Sequence, residues 1–181
     1  SNLKRWYPLN DFDISGANNL DGLYLQDCSG NGKHLLADNC GMSFSEHAPA
    51  PQLALRGSSS RCLFNDSDTV MRLSPSGTDI DCSGAFTYLF WFNTFSSNLD
   101  ARLIDASGGS GPMVFIDSGS SSSYVRVRTK VNFGGSYHTW DTPNNVVPVG
   151  EWVHVGVMFA GGDTNEIVYY VNGSSVADTN P

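Results

Sequence analysis

Charge is scarce in this chain: Asp, Glu, Lys and Arg make up 15% of 181 residues, and only ten of them are Lys or Arg. Nucleic-acid affinity rests on neutralising phosphates with cations, so eighteen acids against ten bases, a net charge of −8, exclude DNA and RNA as main partners. An anionic membrane surface is disfavoured on the same ground. No apolar run approaches the roughly 18 to 20 residues that cross a bilayer, which excludes membrane insertion by a helix. The start, Ser1-Asn2-Leu3-Lys4, has neither an initiator Met nor an apolar signal core, so the chain reads as a mature or excised piece. Cys-x-x-Cys pairs and His at finger spacing are both missing, which argues against zinc.

Helical periodicity is almost absent as well. No window of a dozen residues sustains an apolar stripe at i, i+3, i+4 and i+7, whereas alternation with period two recurs. Gly, Ser, Asn and Asp fill the spaces between apolar runs, so turns are numerous and the composition is that of an all-β fold. A chain of this length can bury a substantial core in one sandwich, and a single domain over residues 1–181 is expected.

Short strands are predicted at residues 5–9, 22–26, 34–37, 52–55, 62–64 and 70–73. The run from Phe86 to Phe92 is the most aromatic. Both of its alternate sets, Phe86/Tyr88/Phe90/Phe92 and Thr87/Leu89/Trp91, are largely apolar, which predicts a central strand covered on both faces. Strands at 102–105 and 113–116 lead to a serine-rich hairpin tip at 117–123. Residues 124–131 then set Val125, Val127, Thr129 and Val131 against Tyr124, Arg126, Arg128 and Lys130, one face core and the other wet. A long loop over 132–150 is predicted to carry Tyr137, His138 and Trp140. Strands at 152–159 and 167–172 form a hairpin that ends at the tight-turn dipeptide Asn172-Gly173, with a further strand after it.

Four cysteines in so Gly- and Ser-rich a chain allow two disulfides in three pairings, and the separations favour Cys28 with Cys40 and Cys62 with Cys82. Four reduced, buried thiols are the competing reading. Asn65-Asp66-Ser67 and Asn172-Gly173-Ser174 are N-glycosylation sequons, weak support for secretion in a sequence this rich in Asn and Ser.

The segment Glu151-Trp152-Val153-His154-Val155-Gly156-Val157 through Ile167-Val168-Tyr169-Tyr170-Val171-Asn172-Gly173 resembles the laminin-G-like and pentraxin-like pattern. In that pattern a Trp-x-His-Val strand precedes a turn and a Tyr-Val-Asn-Gly hairpin. Phe86-Thr87 through Phe90-Trp91 is similar to the family's Phe-Thr-x-x-x-Trp central strand, and Asp27-Cys28-Ser29-Gly30-Asn31-Gly32 to its early Asp-x-Ser-Gly-Asn-Gly turn. The resemblance implies a two-sheet antiparallel jelly-roll sandwich of the concanavalin A-like lectin/glucanase superfamily, in a secreted, cell-surface or virion protein. The family pattern adds closing strands after the Asn-Gly hairpin. With Pro181 ending the chain, the expectation is that those strands are missing or are borrowed from another chain.

Glycosidases on this fold need two carboxylates facing one another across a cleft. Glu46, Glu151 and Glu166 supply no such pair, and no Gly-x-Ser-x-Gly elbow is present, so no catalysis is expected. The resemblance implies calcium on Asp and Asn side chains, with Asp27 and Asn31 as candidate ligands, against the competing reading that both merely cap their own turn. The stripe Tyr124, Arg126, Arg128, Lys130 is a candidate site for an anionic glycan, against pairing with acids on neighbouring strands. Tyr137, His138 and Trp140 are a candidate platform for sugar rings, or else a loop anchor. The expected function is a non-catalytic adhesion or recognition module for carbohydrate or an extracellular protein. The alternative is a self-associating subunit of a spike, fibre or matrix.

Overall fold

A computed structural model describes residues 24–25, 29–32, 35–38, 43–45, 62–64, 70–73, 84–98, 100–105, 111–133, 135–161 and 167–179. The chain divides into two compact units, Ser1–Gly77 and Thr78–Pro181. All fourteen elements among the described residues are β-strands.

The first unit holds β1 (Tyr24–Leu25), β2 (Leu35–Asp38), β3 (Ser43–Ser45), β4 (Cys62–Phe64) and β5 (Val70–Leu73). They form an antiparallel sheet in the order β1-β2-β5 and a separate β3-β4 pair. The strands expected at 5–9 and 52–55 lie outside the described residues, as do Asp27, Cys28, Cys40 and Cys82. Cys62 is described by its backbone alone.

The second unit holds β6 (Phe86–Phe92), β7 (Asp100–Asp105), β8 (Met113–Ser118), β9 (Tyr124–Phe133), β10 (Ser136–Asp141), β11 (Val147–Pro148), β12 (Val153–Phe159), β13 (Ile167–Val171) and β14 (Ser174–Val176). One sheet runs β14-β13-β12-β6, and the other β10-β9-β8-β7 with β11 also on β9, antiparallel throughout.

Alternation builds the core. Val153, Val155, Val157 and Phe159 of β12 and Ile167, Tyr169 and Val171 of β13 are buried from one sheet, and Val114, Ile116, Val125, Val127, Val131 and Trp140 from the other. Each such side chain contributes roughly 1.5–3 kcal/mol of hydrophobic stabilisation. The sheets are joined face to face where Trp140 meets Phe159, ring centroids 6.3 Å apart, and where the Tyr169 hydroxyl donates to the Trp140 carbonyl at 3.0 Å.

Two expectations are corrected. Residues 132–150 are not one long loop, because β10 and β11 lie within them. Ser136–Asp141 has no aliphatic residue to show a period. It is held extended by its ladder to β9, from Ser136↔Phe133 to Asp141↔Arg128. Past β10 the edge of β9 stays satisfied, since Thr142 N donates to the Val127 carbonyl and Thr142 Oγ1 accepts from the Val127 amide. The second correction concerns β6. Among the described residues it is the end strand of its sheet, and its Thr87/Leu89/Trp91 face is exposed, with Leu89 at 67%.

Candidate functional site

The basic stripe on β9 stands on the outer face of its sheet. Cross-strand pairing sets Arg126 opposite Asp117, and Arg128 between Phe115 and Asp141. Both arginines are drawn into those carboxylates. Arg126 reaches Asp117 Oδ2 at 2.7 Å and Asp141 Oδ2 at 3.2 Å, and its Nε donates to the Ser118 carbonyl at 3.1 Å. Arg128 holds Asp141 with two donors, Nε to Oδ1 at 2.7 Å and a terminal nitrogen to Oδ2 at 2.9 Å, and reaches Asp117 at 2.9 Å. The hydrogen bond to Asp141 raises the Arg128 pKa above its ordinary value, against the opposing effect of burial.

Further along the face, Lys130 and Arg102 both lie over the Phe115 ring, 5.1 and 5.5 Å from its centroid, and Arg102 pairs with Asp105. Two arginines matched by two aspartates form a closed, half-buried network, so a polyanion would have to displace Asp117 and Asp141 to reach the guanidinium groups.

The three aromatic residues of β10 do not form one platform. Trp140 pairs with Thr129 on the inner face and is 1% exposed, so it cannot stack on a ligand. His138 shares that inner face, its ring 6.1 Å from Trp140, while Tyr137 projects outward, 44% exposed. Residues three apart on a strand face opposite ways, which removes the shared surface. Asn31 donates its side-chain nitrogen to Ser29 Oγ at 3.0 Å within its own turn. The other expected calcium ligand, Asp27, lies outside the described residues. Among the described residues no group of three or more His, Cys, Asp or Glu is placed to hold a metal ion.

A different surface emerges on the outer face of the β6, β12 and β13 sheet. Its register gives three cross-strand rows. Trp91 pairs with His154, and Asn172 joins them, its Oδ1 accepting from the His154 amide at 2.9 Å. Leu89 pairs with Gly156, which pairs with Tyr170. Thr87 pairs with Met158, which pairs with Val168.

The rows are continuous. The Trp91 and His154 rings are 5.1 Å apart, and a Cβ at Gly156 would stand 3.2 Å from Leu89 Cδ2 and 3.3 Å from Tyr170 Cβ, so both side chains close over the glycine. Leu89, Trp91 and Met158 are exposed at 67, 40 and 36%, and the rows contain no Asp, Glu, Lys or Arg. Sequence reasoning missed this face by treating the apolar set Thr87/Leu89/Trp91 as covered. The signal was present in Gly156, a residue without a side chain in the middle of a strand, which marks close approach from above.

An antiparallel two-sheet sandwich is a scaffold on which many different sites are built, so the architecture defines the class of fold and not the ligand. The chain belongs to the concanavalin A-like lectin/glucanases superfamily: the Laminin_G_3 family model of that superfamily matches residues 65–181. No curated protein and no solved structure matches the chain.

Proposed function

We propose that the chain is a non-catalytic adhesion or recognition module of an extracellular protein, and that it takes its ligand on the outer face of β6, β12 and β13. The observation that carries this reading is the contiguous exposure of Leu89, Trp91 and Met158 on one uncharged sheet face. Exposed apolar patches of this kind on otherwise polar surfaces mark sites of interaction.

The non-catalytic part rests on carboxylate placement. The β6/β12/β13 rows have no acid to serve as nucleophile, acid or base, and Asp117 and Asp141 on the opposite sheet are each tied to two arginines. Secretion is the setting in which this superfamily's laminin-G-like modules typically work, and no helix among the described residues is long and apolar enough to cross a membrane.

The test is a printed array of glycans and extracellular matrix proteins, probed with the wild type, Trp91→Ala and Tyr137→Ala. Specific binding that survives Tyr137→Ala and falls at least tenfold in Trp91→Ala supports the reading. Binding that Trp91→Ala leaves untouched puts the site elsewhere.

A further inference from the structure

We infer that Asn172 is a modification site, an asparagine that carries an N-linked glycan on the folded chain, whichever ligand the neighbouring sheet face takes. Asn172-Gly173-Ser174 meets the sequence requirement of an acceptor, Asn followed by any residue but Pro and then Ser or Thr. Asn65-Asp66-Ser67 meets it too, but lies outside the described residues. A sequon is common in a chain this rich in Asn and Ser, and what distinguishes Asn172 is its geometry.

Asn172 and Gly173 are the two residues of the turn between β13 and β14, which pair on either side of it through Val171↔Ser174. Both have positive φ, 50° and 83°, the left-handed pair that an Asn-Gly hairpin turn adopts. Asn172 ties this turn to β12 by two bonds. Its main-chain amide donates to the His154 carbonyl at 2.8 Å, and its side-chain Oδ1 accepts from the His154 amide at 2.9 Å. The carboxamide oxygen is therefore engaged, while Nδ2 has no hydrogen-bond partner among the described residues. An N-glycan is attached through that nitrogen. A glycosylated carboxamide keeps its oxygen as an acceptor, so both bonds to His154 survive the modification.

The surroundings leave room for a bulky group. Asn172, Gly173, Ser174 and Ser175 are all exposed, and a Cβ built on Gly173 meets nothing within 4 Å. Along β12, His154 stands four residues from Met158, roughly 13 Å of strand. A glycan on Asn172 is thus rooted at the Trp91/His154 end of the outer face, away from the Met158 row. The donor is a polyprenyl diphosphate-linked oligosaccharide. Asn172 Nδ2 forms a bond to the anomeric carbon, the bond from that carbon to the diphosphate oxygen breaks with its electron pair on the departing oxygen, and one Nδ2 proton passes to solvent.

The experiment expresses the chain behind a cleavable signal peptide in cultured animal cells, as wild type, Ser174→Ala and Ser174→Thr. Ser174 is exposed, so Ser174→Ala removes the acceptor sequence while leaving Asn172 and its two bonds to His154 in place. Enzymatic release of N-glycans in ¹⁸O-water converts each carrying Asn to labelled Asp, and peptide mass mapping then identifies the site. Mapping covers both the secreted chain and the chain retained in the cells, so poor export does not hide the answer. The expected result is label at Asn172 in the wild type and Ser174→Thr and its loss in Ser174→Ala, with a melting temperature of the glycosylated wild type no lower than that of Ser174→Ala. An unlabelled Asn172 in both fractions, including a chain labelled at Asn65 alone, would overturn the inference. Label at Asn172 with a melting temperature below that of Ser174→Ala would overturn the argument that the folded turn carries the glycan without losing its bonds.

Discussion

Trp140 and Tyr137 stand three residues apart on β10, yet one is sealed between the sheets and the other stands in solvent. Truncating them should therefore have very different effects. Trp140→Ala leaves a cavity against Phe159 and is expected to cost about 3–5 kcal/mol, while Tyr137→Ala should stay within about 0.5 kcal/mol. Urea unfolding of the two variants measures this directly, and similar losses would contradict the facing described for β10.

Tyr169 adds a pH dependence at the same scale. Burial raises its phenol pKa well above the ordinary 10.0. The folded state then holds this proton more tightly than the unfolded chain does. Its stabilising contribution is complete below the ordinary value and is lost as pH rises past it toward the higher folded one. The urea midpoint should begin to fall near about pH 10 and keep falling above it, and Tyr169→Phe should flatten that fall. The same variant should lose about 1 kcal/mol at neutral pH with the hydrogen bond to the Trp140 carbonyl. A fall of undiminished size in Tyr169→Phe would assign it to other groups.

At the scale of elements, the β8–β9 hairpin depends on a glycine for steric reasons. A Cβ on Gly119 would stand 2.2 Å from the Tyr124 carbonyl oxygen, which is backbone and cannot swing away. Gly119→Ala is expected to cost about 1–3 kcal/mol, while Gly84→Ala, where nothing lies within 4 Å, should be close to neutral. Thermal melts of the pair settle the comparison, and equal melting temperatures would remove the clash from consideration.

The ion network joins three elements, β8, β9 and β10, through Asp117, Arg126, Arg128 and Asp141. Asp141→Asn takes away the carboxylate that both arginines share. The expected cost is on the order of 2 kcal/mol, below the ~3–5 kcal/mol of a fully buried pair because the arginine side chains are 26 and 29% exposed. Asp117→Asn should cost less, because Arg128 keeps its two-point contact with Asp141. A reversed order in denaturant melts would contradict this geometry.

Over the whole second unit, strands flanked on both sides should be the last to open. That describes β8, β9, β12 and β13, whereas β7 and β14 are bonded on one side only among the described residues. Hydrogen exchange should therefore be slowest in the first group and faster in β7 and β14, and uniform rates would argue against the sheet order.

Legibility varied across the molecule in a consistent way. The run from Phe86 to Phe92, Val70–Leu73 and Cys62–Phe64 appear as strands with the boundaries expected, because their own alternation or apolar density specifies them. The division of β9 into a Val face and an Arg face was equally plain. Ser136–Asp141 was not, because its extended form comes from β9, and Ser43–Ser45 is likewise short and held by pairing with β4. The stripe Tyr124, Arg126, Arg128, Lys130 was visible as a row of cations, but its partners Asp117 and Asp141 come from two other strands.

The amino-acid order by itself determined the all-β class, the two faces of β9 and β12 and the family, since period-two alternation and the Trp-x-His-Val to Tyr-Val-Asn-Gly landmark are local properties of the chain. Only the tertiary structure decided which apolar face meets the core and which meets water. Leu89 and Phe90 are adjacent and both apolar in sequence. The position of β6 beside β12 turns Phe90 toward the core and leaves Leu89 outside, next to Gly156, because a strand has two faces and only the sheet packed against it covers one of them.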